Sequence, residues 1–392
     1  MLLQLTKDEE RILDGEKGEG LRKMMKLIVG LATISGAEKL IEIESAHISG
    51  ISYQNIGDEG LSFLEWLVEE GVHVSVPTTI NPAAIDLYQQ GYTHDEFYKK
   101  QERIVNAYIK LGAKPTLSCT PYFLDNIPSP GSHLAWAESS AVIYANTFLN
   151  AYTNKESGLS ALAAAVIGKT GYYGLHVDEN RKPQIAIKVV ADISSSLDFG
   201  ILGYRIGELV GDKIPVIVGK SPKTIPERKQ FVAGLSASGT IGMVSFSNNL
   251  IPNENRIDVI EIDNKEMLNV KSRFSSLDVD IVYLGCPHLS LSEIKELAIL
   301  LQKRRVKNGK SLLLYTSISA YKIANEEGLV RIIENSGARI FAGACPVFNP
   351  SMYKGVIGTD AIKTAHYLKA TKSSQIAISN TILLIESVTE IR

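Results

Sequence analysis

Apolar positions along this chain follow two alternating rhythms. From Gly18 to Ile34, Leu21, Met24, Ile28, Leu31 and Ala32 recur at the three-and-four spacing of a single helix face and predict a helix. Upstream, Thr6 followed three residues later by Glu9 has the form of a capping box. The run Lys39–Ile43 predicts a strand opening into the polar segment Ser45-Ala46-His47-Ile48-Ser49-Gly50. Helices are expected over Asp58–Glu70 and Ala135–Leu149. Strands are expected over Val72–Val76, Pro115–Ser118, Ile185–Val190, Ile214–Val218 and Ile241–Phe246. The final third alternates most regularly. Strands over Asp280–Leu284, Ser311–Tyr315 and Ala338–Ala342 are separated by helices over Ser292–Val306 and on to Asn335, and Thr359-Asp360 should cap a last helix to Ala370. This order predicts an α/β fold of several layers with largely parallel sheets. Gly211–Pro215 and Pro252–Arg256 are the polar joints, and the expected division is 1–212 and 213–392.

At 392 residues the chain has room for two or three domains of roughly 150 residues each. Hydrophobic residues make up 45%, charged residues 21%, and the mean hydropathy is +0.04, which excludes a disordered chain. A net charge of -2 supplies no chain-wide attraction to nucleic acid or anionic membrane. No apolar run reaches the roughly 18 residues of a spanning helix, and the first residues are too acidic for a targeting peptide, so a cytoplasmic protein is expected. Nucleotide motifs fail narrowly. Gly168-Lys169-Thr170 has Ala163 where a phosphate loop needs glycine, and Gly219-Lys220-Ser221 has Ile214 there. Neither G-x-G-x-x-G nor H-E-x-x-H occurs.

Three cysteines, Cys119, Cys286 and Cys345, are too few and too far apart for a disulfide framework or a C-x-x-C metal ribbon. Each has a proline close by, in Cys119-Thr120-Pro121, Cys286-Pro287 and Cys345-Pro346, and each is expected near a strand end. Ligand sites of open α/β sheets form there. Three thiolates can hold three irons of a four-iron cluster and leave the fourth open as a Lewis acid for a departing hydroxyl, a chemistry that needs no nucleotide. Three buried structural thiols, or a zinc ion on the same sulfurs, are the alternatives.

A set of ordered segments goes further. Ser45-Ala46-His47-Ile48-Ser49-Gly50-Ile51-Ser52-Tyr53, Pro77-Thr78-Thr79-Ile80-Asn81-Pro82, Ser118-Cys119-Thr120-Pro121-Tyr122 and Trp136-Ala137-Glu138-Ser139-Ser140 come first. Tyr173-Gly174-Leu175-His176-Val177-Asp178-Glu179-Asn180-Arg181, Gly285-Cys286-Pro287-His288 and the Cys345 segment with Thr359-Asp360 follow. In this order they resemble the aconitase X family over essentially the whole chain. The resemblance implies an aconitase-like fold around a central cleft, and a hydro-lyase with an iron–sulfur cluster, most simply [4Fe-4S] with one open iron, on Cys119, Cys286 and Cys345. It also implies a substrate site of Gly50, Ile51, Ser52, Asn81, Pro82, Glu138, Ser139 and Lys363.

The family's fourth, swivelling domain is either fused or a separate small subunit, and this chain reads as too short to include it, so a partner subunit carrying the catalytic base is expected. The two-subunit form implies dehydration of 5-phosphomevalonate to trans-anhydromevalonate 5-phosphate on a modified mevalonate route to isoprenoids. The fused form implies cis-3-hydroxyproline as substrate, and a scaffold subunit with merely structural cysteines is the non-enzymatic alternative. Taken singly, Glu138 and Lys363 read as solvated helix-face residues. Ser52, Asn81 and Ser139 read as ordinary loop or cap residues, and His47, His133, His176 and His288 are site candidates that, one by one, more often read as structural histidines. Asp178–Arg181 alone reads as a surface turn.

Overall fold

A computed structural model of the chain describes residues 3–88, 96–247, 257–274, 278–348, 355–371 and 375–392. The expected joint at Pro252–Arg256 lies outside them. The chain forms two compact units, Met1–Lys182 and Pro183–Arg392.

The first unit contains α1 (Lys7–Leu13), α2 (Glu19–Ile34), β1 (Leu40–Glu42), β2 (Ser45–Ile48), α3 (Tyr53–Glu69), β3 (Thr78–Ile80), α4 (Glu96–Lys110), β4 (Leu134–Trp136), α5 (Ser139–Phe148), α6 (Gly158–Ile167) and β5 (Lys169–Gly171). The capping box forms as the sequence predicts: Thr6 N–H donates to Glu9 Oε2 at 2.7 Å, and Glu9 N–H to Thr6 Oγ1 at 3.3 Å. A parallel sheet of order β3-β2-β4 lies at the centre, with Ala46 opposite both Thr78 and Ala135. Every residue of these three strands is buried. That burial explains where the hydrophobic pattern misled. β2 lies in the segment expected to be loop, because a short strand covered on both faces shows no apolar–polar alternation. Its polar residues are satisfied internally; Ser45 Oγ, for example, accepts from Trp136 Nε1 at 3.3 Å. Val72–Val76, expected to be a strand, is not one. Its Val74 and Ser75 amides donate instead to the carbonyls of Leu111 and Ala165, beyond α4 and in α6. Pro115–Ser118 is likewise unassigned to a strand, and the expected helix over Ala135–Leu149 is β4 followed by α5.

The second unit opens with β6 (Ile185–Val189), α7 (Ser196–Val210), β7 (Pro215–Val218), α8 (Ile225–Ser238), β8 (Ser245–Ser247), β9 (Asp258–Ile262) and α9 (Asn264–Lys271). Its strands make a parallel sheet of order β8-β7-β6-β9. The Gly211–Pro215 joint is therefore the connection between α7 and β7, inside this unit. Helices α7 and α8 touch backbone to backbone. A Cβ on Gly203 would stand 2.2 Å from Phe231 O, and one on Gly234 would stand 2.1 Å from Gly200 O.

The unit continues with β10 (Ile281–Leu289), α10 (Leu291–Leu301), β11 (Arg304–Val306), β12 (Ser311–Thr316), α11 (Ile318–Glu326), α12 (Leu329–Asn335), β13 (Arg339–Ala342), β14 (Val356–Thr359), α13 (Ile362–Ala370), β15 (Gln375–Ile378), α14 (Thr381–Val388) and β16 (Thr389–Ile391). A parallel sheet of order β13-β12-β10-β14-β15 packs its Val282, Leu284, Leu312, Leu314 and Ile340 against the helices. The sequence-based helix over Ser292–Val306 stops at Leu301, because Arg304–Val306 pairs antiparallel with β16. The next helix is broken at Gly328, which takes a left-handed φ of 77°. Small antiparallel ribbons, β1-β5 and β11-β16, complete the described sheets, so parallel pairing dominates as expected.

Candidate functional site

In the first unit the residues expected to contact substrate lie beyond the carboxyl ends of the parallel strands β2, β3 and β4. β2 runs out into Ser49 and the turn Gly50-Ile51-Ser52, in which Gly50 takes a left-handed φ of 73°. Ile51 and Ser52 are fully buried. Ser52 caps α3, its hydroxyl oxygen accepting from Gln54 N–H at 3.2 Å. A buried residue that the sequence did not flag holds this turn: Gln101, from α4, donates to Ile51 O at 3.0 Å and accepts from Tyr53 N–H at 3.1 Å.

Asn81 and Pro82 follow β3 directly, both buried. The Asn81 backbone amide donates to Ile48 O at 2.8 Å, pinning the exit of β3 to the exit of β2. Glu138 is the N-cap of α5, and Ser139 is its first residue. Glu138 accepts at both oxygens, from Asn81 Nδ2 at 3.0 Å on one, and from Ser140 Oγ at 2.9 Å and Ser140 N–H on the other. Glu138 is thus tied to Asn81 and is not a solvated face residue. His47 lies behind this pair, within 3.1 Å of Asn81 Oδ1 and 2.8 Å of Thr79 Oγ1. Complete burial pulls its pKa from 6.5 down to about 4, so the ring is neutral at neutral pH.

Cys119 is half-buried, in a turn preceded by Leu117 at a φ of 44° and fastened by Thr120 N–H donating to Ser118 Oγ at 3.0 Å. Farther off, His133 and His176 face one another through their Nδ1 atoms at 3.0 Å. Only part of Asp178–Arg181 behaves as a surface turn. Arg181 points inward and donates to Asn146 Oδ1 and to the carbonyls of Leu175 and Ala151.

In the second unit Cys286 is not beyond a strand end, as expected, but within β10, where the pairing with β12 shifts between Leu284 and Leu289. Gly285 makes this possible, since a Cβ there would lie 2.3 Å from Tyr315 O. The segment is clamped from α8, where Gln230 Nε2 donates to Cys286 O at 3.2 Å and Lys229 Nζ to His288 O at 2.7 Å. Lys229 is 1% exposed and also pairs with Glu293. His288 Nε2 donates to Ala344 O at 2.9 Å, tying the Cys286 segment to the residue before the half-buried Cys345.

Lys363 is half-buried in the first turn of α13. The expected capping of that helix by Asp360 does not occur. Ala361 is the N-cap, and Asp360 Oδ2 accepts from Thr381 Oγ1 at 2.7 Å instead. Burial pushes the Asp360 carboxyl up to about 6. All three cysteines are thiols; Cys119 belongs to the first unit, and Cys286 and Cys345 to the second. Among the described residues, no three His, Cys, Asp or Glu side chains gather as an ion site, and no helix is long and apolar enough to cross a membrane.

Comparison with known proteins gives this geometry a context. Family models described as the Aconitase X first, second and third domains match residues 2–179, 183–272 and 279–390. The phosphomevalonate dehydratase large subunit of Thermococcus kodakarensis is 39% identical over 94% of this chain and 95% of its own length. The cis-3-hydroxy-L-proline dehydratase of Hypocrea jecorina is 30% identical over 93% of this chain but only 65% of its own length. The crystal structure of Thermococcus kodakaraensis aconitase X in its holo-form superposes with a TM-score of 0.91 at 37% identity, covering 98% of this chain and 100% of that one. With all three domain models matched in order along its length, the chain belongs to the aconitase X family.

Proposed function

We propose that this chain is the large subunit of a phosphomevalonate dehydratase and acts with a smaller swivel-domain subunit. The observation that carries this is similarity: the chain is 39% identical to a large subunit of that name over 94% of its residues, and 30% identical to a hydroxyproline dehydratase. The residues proposed to contact substrate are Gly50, Ile51, Ser52, Asn81, Pro82, Glu138, Ser139 and Lys363.

The reaction removes a proton from C2 of 5-phosphomevalonate and the hydroxyl from C3. The C2–H electron pair becomes the C2=C3 double bond, the C3–O pair leaves with oxygen, and the two fragments combine as water. This chain's part is to bind and orient. The second Nδ2 hydrogen of Asn81 and the Lys363 side chain are suited to anionic oxygens of the substrate, and the turn of Gly50 lets backbone approach closely. Glu138, fixed by three donors, is suited to accept from a substrate hydroxyl. Three free thiols are a donor set of the kind that suits an iron–sulfur cluster, here [4Fe-4S] on Cys119, Cys286 and Cys345. When bound, it supplies a Lewis acid for the leaving hydroxyl. The base for the C2 proton is assigned to the partner subunit.

The test combines anaerobically purified chain with its small subunit and offers 5-phosphomevalonate and cis-3-hydroxyproline separately. Turnover of 5-phosphomevalonate only by the combined subunits is expected, with a brown colour lost in each Cys→Ser variant. Preference for hydroxyproline, or full activity of the large chain alone, overturns the reading.

A further inference from the structure

His47, a site candidate that the sequence alone reads more readily as structural, is the hub of a buried hydrogen-bond chain. It is 0% exposed, in the middle of the three-stranded sheet. Thr79 and Asn81, two residues apart on the neighbouring strand and its exit, flank its ring: Thr79 Oγ1 lies 2.8 Å from Nδ1, and Asn81 Oδ1 lies 3.1 Å from Nε2. Asn81 Nδ2 reaches Glu138 Oε2 at 3.0 Å. At the other end, Asn126 Nδ2 donates to Thr79 Oγ1 at 3.1 Å and to Ala46 O at 3.0 Å.

Donors and acceptors in this chain can be assigned one by one. A carboxylate only accepts, so the Asn81 amide nitrogen faces Glu138 and its carbonyl faces His47. That carbonyl needs an N–H, so His47 Nε2 carries the hydrogen. A neutral ring then has a bare Nδ1, which accepts the Thr79 hydroxyl; the Thr79 oxygen in turn accepts from Asn126, and the Ser118 carbonyl beside the ring can only share the Nε2 hydrogen. Every hydrogen points towards Glu138. The two ends of the Asn81 amide are distinguished separately, the nitrogen end by the Glu138 carboxylate and the carbonyl end, among the described residues, by His47.

We infer that His47 is a positioning residue of the substrate site: as its Nε2–H tautomer it holds the Asn81 carbonyl inward, so that Asn81 presents only N–H to a ligand and selects an acceptor oxygen of carboxylate or phosphate type. This rests on reading Asn81 and Glu138 as substrate contacts.

The experiment uses the complex of the full chain with its small subunit. His47→Leu removes the N–H and leaves the buried Asn81 carbonyl without its donor, so that Glu138 alone orients the amide, whereas His47→Gln keeps an N–H donor. Losing one buried hydrogen-bond donor predicts a rise in KM for 5-phosphomevalonate of roughly ten- to a hundredfold for His47→Leu, with kcat within about twofold. His47→Gln should recover most of that loss. An unchanged KM in a folded His47→Leu complex overturns the inference. Nitrogen-15 NMR of labelled histidine in the unmutated complex decides the matter should the variant not fold. Protonated Nε2 with bare Nδ1 is expected, and the reverse tautomer overturns it, because Asn81 would then face the other way. Absence of turnover in the unmutated complex would count against the proposed substrate while leaving this tautomer readable.

Discussion

The two units bury polar groups beside their proposed site residues in opposite ways. In the first, Thr79, His47 and Asn81 are neutral and are joined end to end, and the one charge, Glu138, sits half-buried at the terminus of the chain. In the second, a full positive charge is placed inside: the ammonium of Lys229, 1% exposed, holds His288 O and Glu293. A neutral chain fixes direction, because each member must be donor on one side and acceptor on the other. A buried charge fixes position, because any displacement leaves it uncompensated. The first suits residues that select a ligand's polarity, and the second suits a backbone segment that must keep a cysteine in place.

The comparison is broken most forcefully at Lys229. Lys229→Met leaves Glu293 and His288 O without their cation and should destabilise the second unit by about 3–5 kcal/mol, read by urea unfolding. Adding Glu293→Leu should recover a large part of that loss; no recovery would mean that the ammonium acts through the carbonyl alone.

Acid separates the units next. His47, neutral in the fold with a pKa of about 4, refuses a proton that the unfolded chain takes at 6.5. The first unit therefore loses stability as pH falls between those values, by about 3 kcal/mol once below 4. His176, lowered to about 3 by burial, acts in the same direction. Asp360 in the second unit has the opposite sign. Raised to about 6, it contributes stability below 3.8 that is lost as pH rises through 6. Glu156 in the first unit, raised by burial, offsets part of the histidine effect. Both tryptophans, Trp66 and Trp136, lie in the first unit. On acid titration the tryptophan fluorescence should therefore change at higher pH than the far-ultraviolet dichroism, which reports both units. Coincident transitions would remove the distinction.

The smallest effect should be the same in both units. Ser157→Ala at the capping box of α6 and Thr224→Ala at that of α8 should each cost about 1 kcal/mol by thermal unfolding, since a cap acts locally whatever unit surrounds it.

Legibility in the sequence followed the same division between local and distant. Strands β6, β7, β10, β12 and β13 were visible as apolar runs bounded by turns, and the Thr6–Glu9 box by its spacing alone. β2 was not, because Ser45 and His47 look like loop residues until their buried partners are known. Gln101 sits in an amphipathic helix and Lys229 in one that shows no apolar face and is buried continuously from Lys229 to Ser236, and nothing local marks either as a polar residue facing inward. Asp360 looked like a helix cap and is instead the acceptor of Thr381, on the helix that follows β15.

Residue order by itself determined the α/β alternation, the dominance of parallel strands and the set of segments that marks the family, since these depend on periodicity and near neighbours. Only the tertiary structure decided which polar groups meet. His47 and Asn81 are 34 residues apart, and Asn81 and Glu138 are 57 apart. Parallel pairing through long crossovers brings them side by side, and a hydrogen bond requires a separation near 3 Å that no spacing along a chain of this length can specify.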